Sequence, residues 1–287
     1  DSHSMSHLIL QSPSLSATHV EQIAALVSAS GVQELGPTAV RLLEADDAET
    51  AAVAAQCERY GIDYAFLPKI DLLREMRILA MDMDSTLVSI ECIDEIADAV
   101  GRKPQVAAIT EAAMRGEIKD FAESLRRRVA LLEGVPESAL LEVYEQRLSL
   151  NPGAERLVAT AQKHGLKVLL VSGGFTFFTE RLRERLNLDA AHSNVLEIVD
   201  GKLTGRVLGD IVDAAGKAAH LKALAETLGA GPEQIIAVGD GANDLQMMSH
   251  ARYSVAYRAK PVVREQAAFA LNVSPLDAIL NWFRLSF

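Results

Sequence analysis

The sequence predicts an α/β protein: a doubly wound, largely parallel sheet with a helical insertion, preceded by a small ferredoxin-like α+β module. Three observations predict it. Apolar runs at 78–81, 166–171 and 234–238 each stop on polar or glycine-rich residues and alternate with helical text, as strands buried between helices do. Residues 91–150 carry helical periodicity without a persuasive strand. Residues 7–69 read strand, helix, two short strands, helix, strand, which is the β-α-β-β-α-β plan.

At 287 residues the chain is long enough for one core to begin dividing into domains. Boundaries are expected at 5–70 for the first module, 77–90 with 151–287 for the sheet domain, and 91–150 for the insertion. The 39 acidic residues outnumber 28 basic ones, a formal net charge of -11. That balance argues against a nucleic-acid or anionic-membrane partner, which would want a basic face. Cys57 and Cys92 are far apart and show no zinc or disulfide spacing, which fits a reducing compartment. The first Lys or Arg is Arg41, so no charged leader segment is expected. No apolar run approaches the ~20 residues of a membrane span. A soluble, cytoplasmic protein is the expectation. Asp1-Ser2-His3-Ser4, before Met5, reads as an expression scar and is set aside.

In order, 7–10 is a short strand, and 16–30 is a helix with Ile23, Leu26 and Val27 at helical spacing. Residues 32–35 and 39–43 pair around Gly36-Pro37, 48–60 is an Ala-rich helix stopped by Gly61, and 63–67 is a strand before Pro68. Residues 71–76 form a charged connector. In the insertion, Ile93, Ile96, Ala97 and Val100 share one helix face, and Phe121, Leu125, Val129 and Leu132 share another. Pro104, Gly116 and Gly134-Val135-Pro136 divide it into about four helices. Helix 152–163 then leads to strand 166–171, Ser172-Gly173-Gly174 and a helix through Arg185. Residues 195–199 and 202–207 form a hairpin across Asp200-Gly201. Helix 217–228, strand 234–238, strands 253–257 and 270–273, and helices 262–269 and 276–283 complete the alternation.

Chemistry belongs in the crevice beyond the carboxyl ends of the strands. Asp82 and Asp84 sit there, and two carboxylates at about 4 Å repel by roughly 4 kcal/mol at an effective dielectric of about 20. A shared proton, a basic side chain or a metal ion must offset that cost. Further strand ends bring Ser172-Gly173-Gly174, Lys217, and Asp240 with Asp244. Singly, each has a bland reading: a turn aspartate, a tight turn, a solvated lysine. Together they suit a hard cation, best Mg²⁺, beside an anion held by N–H groups and a lysine, which is the requirement of phosphoryl transfer.

The run Asp82-Met83-Asp84-Ser85-Thr86, with Ser172, Lys217 and Gly239-Asp240-Gly241-Ala242-Asn243-Asp244, resembles the four motifs of the haloacid-dehalogenase-like phosphatases in order and spacing. Glu91-Cys92-Ile93-Asp94-Glu95 and Ser124-Leu125-Arg126-Arg127-Arg128-Val129 extend the resemblance, over about 76–283, to that superfamily's phosphoserine phosphatases. The resemblance implies hydrolysis of O-phospho-L-serine, the last step of serine biosynthesis. It implies Asp82 as nucleophile and Asp84 as general acid and base with a raised pKa. A Mg²⁺ site of Asp82, the Asp84 carbonyl, Asp240 and Asp244 is implied too. Ser172, Gly173, Lys217 and Asn243 would surround the phosphate, with Glu91 on the substrate ammonium and Arg128 on its carboxylate. The family register between Phe121 and Leu131-Leu132 selects Arg128 from the triple arginine. For Glu91 the alternative is a helix N-terminal charge. The insertion would act as a lid.

Residues before Met76 resemble a degenerate ACT domain. That implies an amino-acid ligand and a homodimer as candidate partners, with a ligand-free packing module as the alternative. Two other functions stay in view: a phosphatase or phosphotransferase for another small phosphomonoester, and a sensor fused to an inactive body. The intact carboxylate and lysine set argues against the second.

Overall fold

The computed structural model describes residues 5–287, so the tetrapeptide read as an expression scar lies outside the described residues. The first module runs β1 (Met5–Gln11), α1 (Ala17–Leu26), β2 (Gly31–Gly36), β3 (Ala39–Asp46), α2 (Thr50–Tyr60) and β4 (Asp63–Leu67). Its sheet has the order β2-β3-β1-β4, with β1 antiparallel to both β3 and β4. Alternation in β1 sends Leu8 and Leu10 towards the two helices, while Ile9 joins the main core on the opposite face.

A short strand, β5 (Asp71–Leu72), precedes β6 (Ile78–Met81). The insertion then supplies α3 (Cys92–Ala99), α4 (Lys103–Met114), α5 (Phe121–Ala130) and α6 (Glu137–Glu142), closed by a π-helical turn at Val143–Arg147. The α/β rhythm resumes with α7 (Ala154–Lys163), β7 (Lys167–Phe175), α8 (Thr176–Leu186), β8 (Ala190–Val199), β9 (Lys202–Leu208), α9 (Ala214–Leu228) and β10 (Ile235–Gly239). It ends with α10 (Leu245–Met248), β11 (Tyr253–Tyr257), α11 (Pro261–Arg264), β12 (Phe269–Leu271) and β13 (Phe283–Arg284).

Among the described residues the main sheet has seven strands in the order β12-β11-β10-β6-β7-β8-β9, parallel except for the final β8–β9 hairpin. The hairpin turns on Asp200 and Gly201, both at positive φ (53° and 74°), as its two-residue turn requires. β6 lies at the centre because it is apolar on both faces. Leu79 and Met81 join the larger cluster, and Ile78 and Ala80 the smaller one behind the sheet. Each large apolar side chain buried this way contributes about 1.5–3 kcal/mol.

Four expectations need correction. The helix expected at 262–269 stops at Arg264, because the chain must turn to bring Phe269–Leu271 alongside β11 as an edge strand. The helix expected at 276–283 is a 3₁₀ segment, Leu276–Trp282, followed by β13. The connector at 71–76 contains β5, which pairs with β13. β8 starts five residues before the expected hairpin strand, since Ala190-Ala191-His192 pair in parallel with Leu169-Leu170-Val171.

The insertion leaves and re-enters the sheet domain through adjacent connectors. Ser89 N–H donates to the Ser149 carbonyl at 2.9 Å, and Asn151 N–H to the Leu87 carbonyl at 2.9 Å. The first module is fixed to the sheet domain by polar bonds. Gln11 Nε2 donates to the Ala278 carbonyl at 3.0 Å and Gln11 Oε1 accepts from Trp282 Nε1 at 3.1 Å. The buried Asp63 carboxylate accepts the N–H groups of Asn272, Val273 and Ser274 at 2.7, 3.1 and 2.8 Å. Removing this acceptor strands buried donors, so Asp63→Ala is expected to lower unfolding free energy by about 2–4 kcal/mol in urea. A loss below about 0.5 kcal/mol would show that the seam does not depend on this carboxylate.

Candidate active site

The site is assembled where β6, β7 and β10 end. Asp82 is still part of the ladder, its N–H donating to the Val238 carbonyl at 3.1 Å. Met83 turns into the core and Asp84 returns to the crevice, so alternation places both aspartates on the open side. The chain then folds back tightly. Val88 N–H reaches the Met83 carbonyl at 3.0 Å, with Ser85 in the left-handed region at φ 57°. Ser85 Oγ donates to Glu91 Oε1 at 2.7 Å.

At the end of β7, Ser172 Oγ accepts the Gly174 N–H at 2.8 Å. A Cβ on Gly174 would lie 2.9 Å from Met83 Cε and 3.0 Å from Ser172 Oγ, so only glycine lets this loop approach the aspartates. α9 begins at its N-cap Asp213, whose side chain accepts from Gly216 N–H at 2.8 Å. Its first turn presents Lys217, 1% exposed, with Nζ donating to Asp82 Oδ1 at 3.0 Å and Asp244 Oδ1 at 2.8 Å. The other Asp244 oxygen accepts the N–H groups of Asp240 and Gly241, each at 3.1 Å. A Cβ on Gly239 would meet Asp244 Cβ at 2.5 Å, so that turn is equally restricted to glycine. Asp240 Oδ1 accepts from Thr86 Oγ1 at 2.9 Å.

One ammonium shared among several carboxylates leaves the cluster negative. Burial pushes Asp82, Asp240 and Asp244 each up to about 6, against the opposing pull of Lys217 on Asp82 and Asp244. Burial, then the nearby charges of Glu91 and Asp82, raise Asp84 well above the usual carboxylate range. Lys217 is held above its ordinary value: burial works against the ammonium, but Asp82 and Asp244 outweigh it. Oxygens of Asp82, Asp240 and Asp244 all lie within 4.8 Å of one another. An all-oxygen, net-negative set with that spacing fits a hard divalent cation.

The family described as haloacid dehalogenase-like hydrolase matches residues 79–249, spanning the insertion and every strand end just described. The chain belongs to the haloacid dehalogenase-like hydrolases. A domain of unknown function matches residues 8–53 of this hydrolase, within its first module. It is 60% identical over 213 residues to a phosphoserine phosphatase of Polaromonas sp., covering 73% of this chain and 90% of that relative. A HAD family hydrolase from Salmonella enterica serovar Typhi superposes with a TM-score of 0.89 at 32% identity, over 98% of this chain and 99% of that one. A probable phosphoserine phosphatase from Vibrio cholerae superposes with a TM-score of 0.85 at 39% identity, over 98% of this chain and 87% of the other.

Among the residues singled out from sequence, Asp82, Asp84, Glu91, Arg128, Gly173, Lys217, Asp240 and Asn243 line one pocket of the hydrolase. Ser172 and Asp244 are fully buried in its wall. The triple arginine is sorted by geometry. Arg127 pairs with Glu123 one turn away at 2.5 Å, Arg126 is exposed, and Arg128 enters the pocket. Sequence reading missed the supports. Asn151 Nδ2 holds the Thr86 and Val88 carbonyls at 2.7 and 3.1 Å, although an Asn before Pro152 reads as an ordinary turn. Phe121 and Leu125 line the pocket, where helical spacing had marked them as core.

Folded carboxylates raised to about 6 bind protons more readily than unfolded ones, so without metal their contribution to stability rises as pH falls from about 7 towards 5. A divalent cation competes for the ionised form. Adding one is expected to raise the melting temperature, followed by Trp282 fluorescence, at about pH 8 and to lose that effect below about 6. A melting temperature unaffected by cation at both values would exclude a metal site here.

Proposed function

We propose that this hydrolase is a Mg²⁺-dependent phosphatase converting O-phospho-L-serine to L-serine and phosphate, the last step of serine biosynthesis, through an aspartyl-phosphate. The observation that carries the reading is the buried Asp82–Lys217–Asp244 ion-paired set, at 3.0 and 2.8 Å, in a pocket that also holds Glu91 and Arg128. The names of the Polaromonas and Vibrio relatives support the same substrate.

The ionised Asp82 carboxylate attacks phosphorus, and the bond from phosphorus to the serine oxygen breaks. The Asp84 carboxylic acid gives its proton to that departing oxygen, a role its raised pKa favours. The resulting Asp84 carboxylate then takes a proton from water as the water oxygen attacks phosphorus. Asp82 is restored and phosphate leaves. Ser172, Gly173, Lys217 and Asn243 orient the phosphoryl oxygens. Lys217 also offsets their charge in a water-poor site, where a fixed charge acts most strongly. Held by Asp82, the Asp84 carbonyl, Asp240 and Asp244, Mg²⁺ would supply further neutralisation of phosphoryl charge.

Glu91 receives the substrate ammonium, its carboxylate oriented by the Ser85 hydroxyl. Arg128, whose Nε donates to the Ser124 carbonyl at 3.3 Å, forks onto the substrate carboxylate. Burial lowers the Arg128 pKa, while Asp94, Glu91 and Asp84 oppose that change and keep a counter-charge near it.

The division into 5–70, 77–90 with 151–287, and 91–150 belongs to this reading, with the middle segment as a lid. An amino-acid ligand for the first module is supported by a cleft of about 530 Å³ between it and the sheet domain, lined by Glu58, Tyr64, Arg264 and Phe269. The exposed edge strand β2, with Val32 53% exposed, offers a face for a homodimer. Two free, buried cysteines fit a cytoplasmic setting, and among the described residues no helix is long and apolar enough to cross a membrane.

Phosphate release from O-phospho-L-serine is expected to require Mg²⁺ and to vanish in Asp82→Asn. Persistence of activity in a homogeneous Asp82→Asn sample would overturn the covalent route. Glu91→Gln and Arg128→Ala are expected to lower kcat/KM for phosphoserine about 100-fold while changing p-nitrophenyl phosphate hydrolysis less than about threefold. Equal losses on both substrates would remove the phosphoserine assignment and leave a general phosphomonoesterase.

A further inference from the structure

The parallel ladder between β7 and β8 is interrupted beside the phosphoryl site. Val171 pairs with His192 and Phe175 with Asn194, a step of four residues on β7 against two on β8. The looped-out residues are Ser172-Gly173-Gly174, so the ladder no longer satisfies or holds their backbone. Asn194 takes over that task. Its side chain is fully buried, its Nδ2 donates to the Gly173 carbonyl at 2.9 Å, and its Oδ1 accepts the Val212 N–H at 2.7 Å. Val212 immediately precedes Asp213, the N-cap of the helix whose first turn carries Lys217.

One planar amide therefore spans the two segments that approach the phosphoryl group from different elements. A donor and an acceptor fixed at opposite corners of a rigid group set a separation, which a flexible or one-sided contact cannot do. We infer that Asn194 is a positioning residue for phosphoryl recognition, fixing the spacing between the Ser172-Gly173-Gly174 loop and the Lys217 end of α9. It does not touch substrate. It keeps the Gly173 N–H and the Lys217 ammonium aimed at one point, whichever alcohol carries the phosphate. This inference rests on the proposed phosphoryl-holding role of Gly173 and Lys217.

The test compares Asn194→Ala and the milder Asn194→Ser with the parent enzyme, using rates per folded molecule and the folded fraction read from Trp282 fluorescence. Loosening a reacting group by about 1 Å costs up to about 100-fold. The expected result is a fall in kcat/KM of about tenfold to 100-fold, equal for phosphoserine and p-nitrophenyl phosphate. The inhibition constant of inorganic phosphate should rise in parallel. A purely structural role would lower the melting temperature and leave kcat/KM and phosphate inhibition per folded molecule unchanged. That result would overturn the inference. So would a loss confined to phosphoserine, or failure of both variants to fold, which would assign Asn194 to folding rather than spacing. Parent enzyme inactive on both phosphate esters would instead refute the proposed function, leaving the two failures distinguishable.

Discussion

A buried ammonium between two carboxylates is the interaction on which the rest of the catalytic half depends. Lys217 comes from α9, Asp82 from the end of β6 and Asp244 from the turn after β10. Taking an ammonium out of water is expensive and is offset only by close, hydrogen-bonded counter-charges. The three elements must therefore arrive together, and none can shift alone without exposing an uncompensated charge. The remaining carboxylates keep the centre negative overall, so its oxygens fit a cation where a neutral, closed salt bridge would not.

The turn after Asp82 links this centre to the helical insertion. Asp84 lies in that turn, the insertion departs within a few residues of it, and the Ser85 hydroxyl reaches Glu91 at the start of α3. Asn151, on the returning connector, clamps the Thr86 and Val88 carbonyls. Thr86 in turn holds Asp240. The position of the insertion and the orientation of two carboxylates thus share one short segment.

Much of this was legible in the sequence, for a physical reason. Asp82, Asp84, Lys217, Asp240 and Asp244 have few uses together except at a charged crevice, and strand ends in an open α/β sheet converge on one. Thr86 stood in the quoted motif without its bond to Asp240, whereas Asn151 and Asn194 were not legible, because a polar side chain that holds a particular backbone group looks the same in sequence as one that faces water. Arg128 was separable from Arg126 and Arg127 only through register, and the Glu123–Arg127 pair supplies the geometric reason. In the fold, seven residues at 276–282 are too few for apolar spacing to tell three residues per turn from 3.6. The constraints there are tertiary: Leu276, Ile279 and Trp282 are buried in the main core while the Ala278 carbonyl and the Trp282 indole N–H both meet Gln11 of β1.

That C-terminal segment also explains why the first module is an integral part of the molecule. A four-stranded sheet with helices on one side has a second face to cover, and here Ile9, Ala65 and Leu67 share a core with Leu276, Trp282 and Phe283. Apolar packing alone would tolerate sliding. The Asp63 carboxylate does not, since it accepts three consecutive N–H groups in the loop after β12. β12 lies beside β11, which pairs with β10, the strand that delivers Asp240 and Asp244. The orientation of the first module is therefore set by directional bonds to the edge of the same sheet whose centre holds the carboxylates.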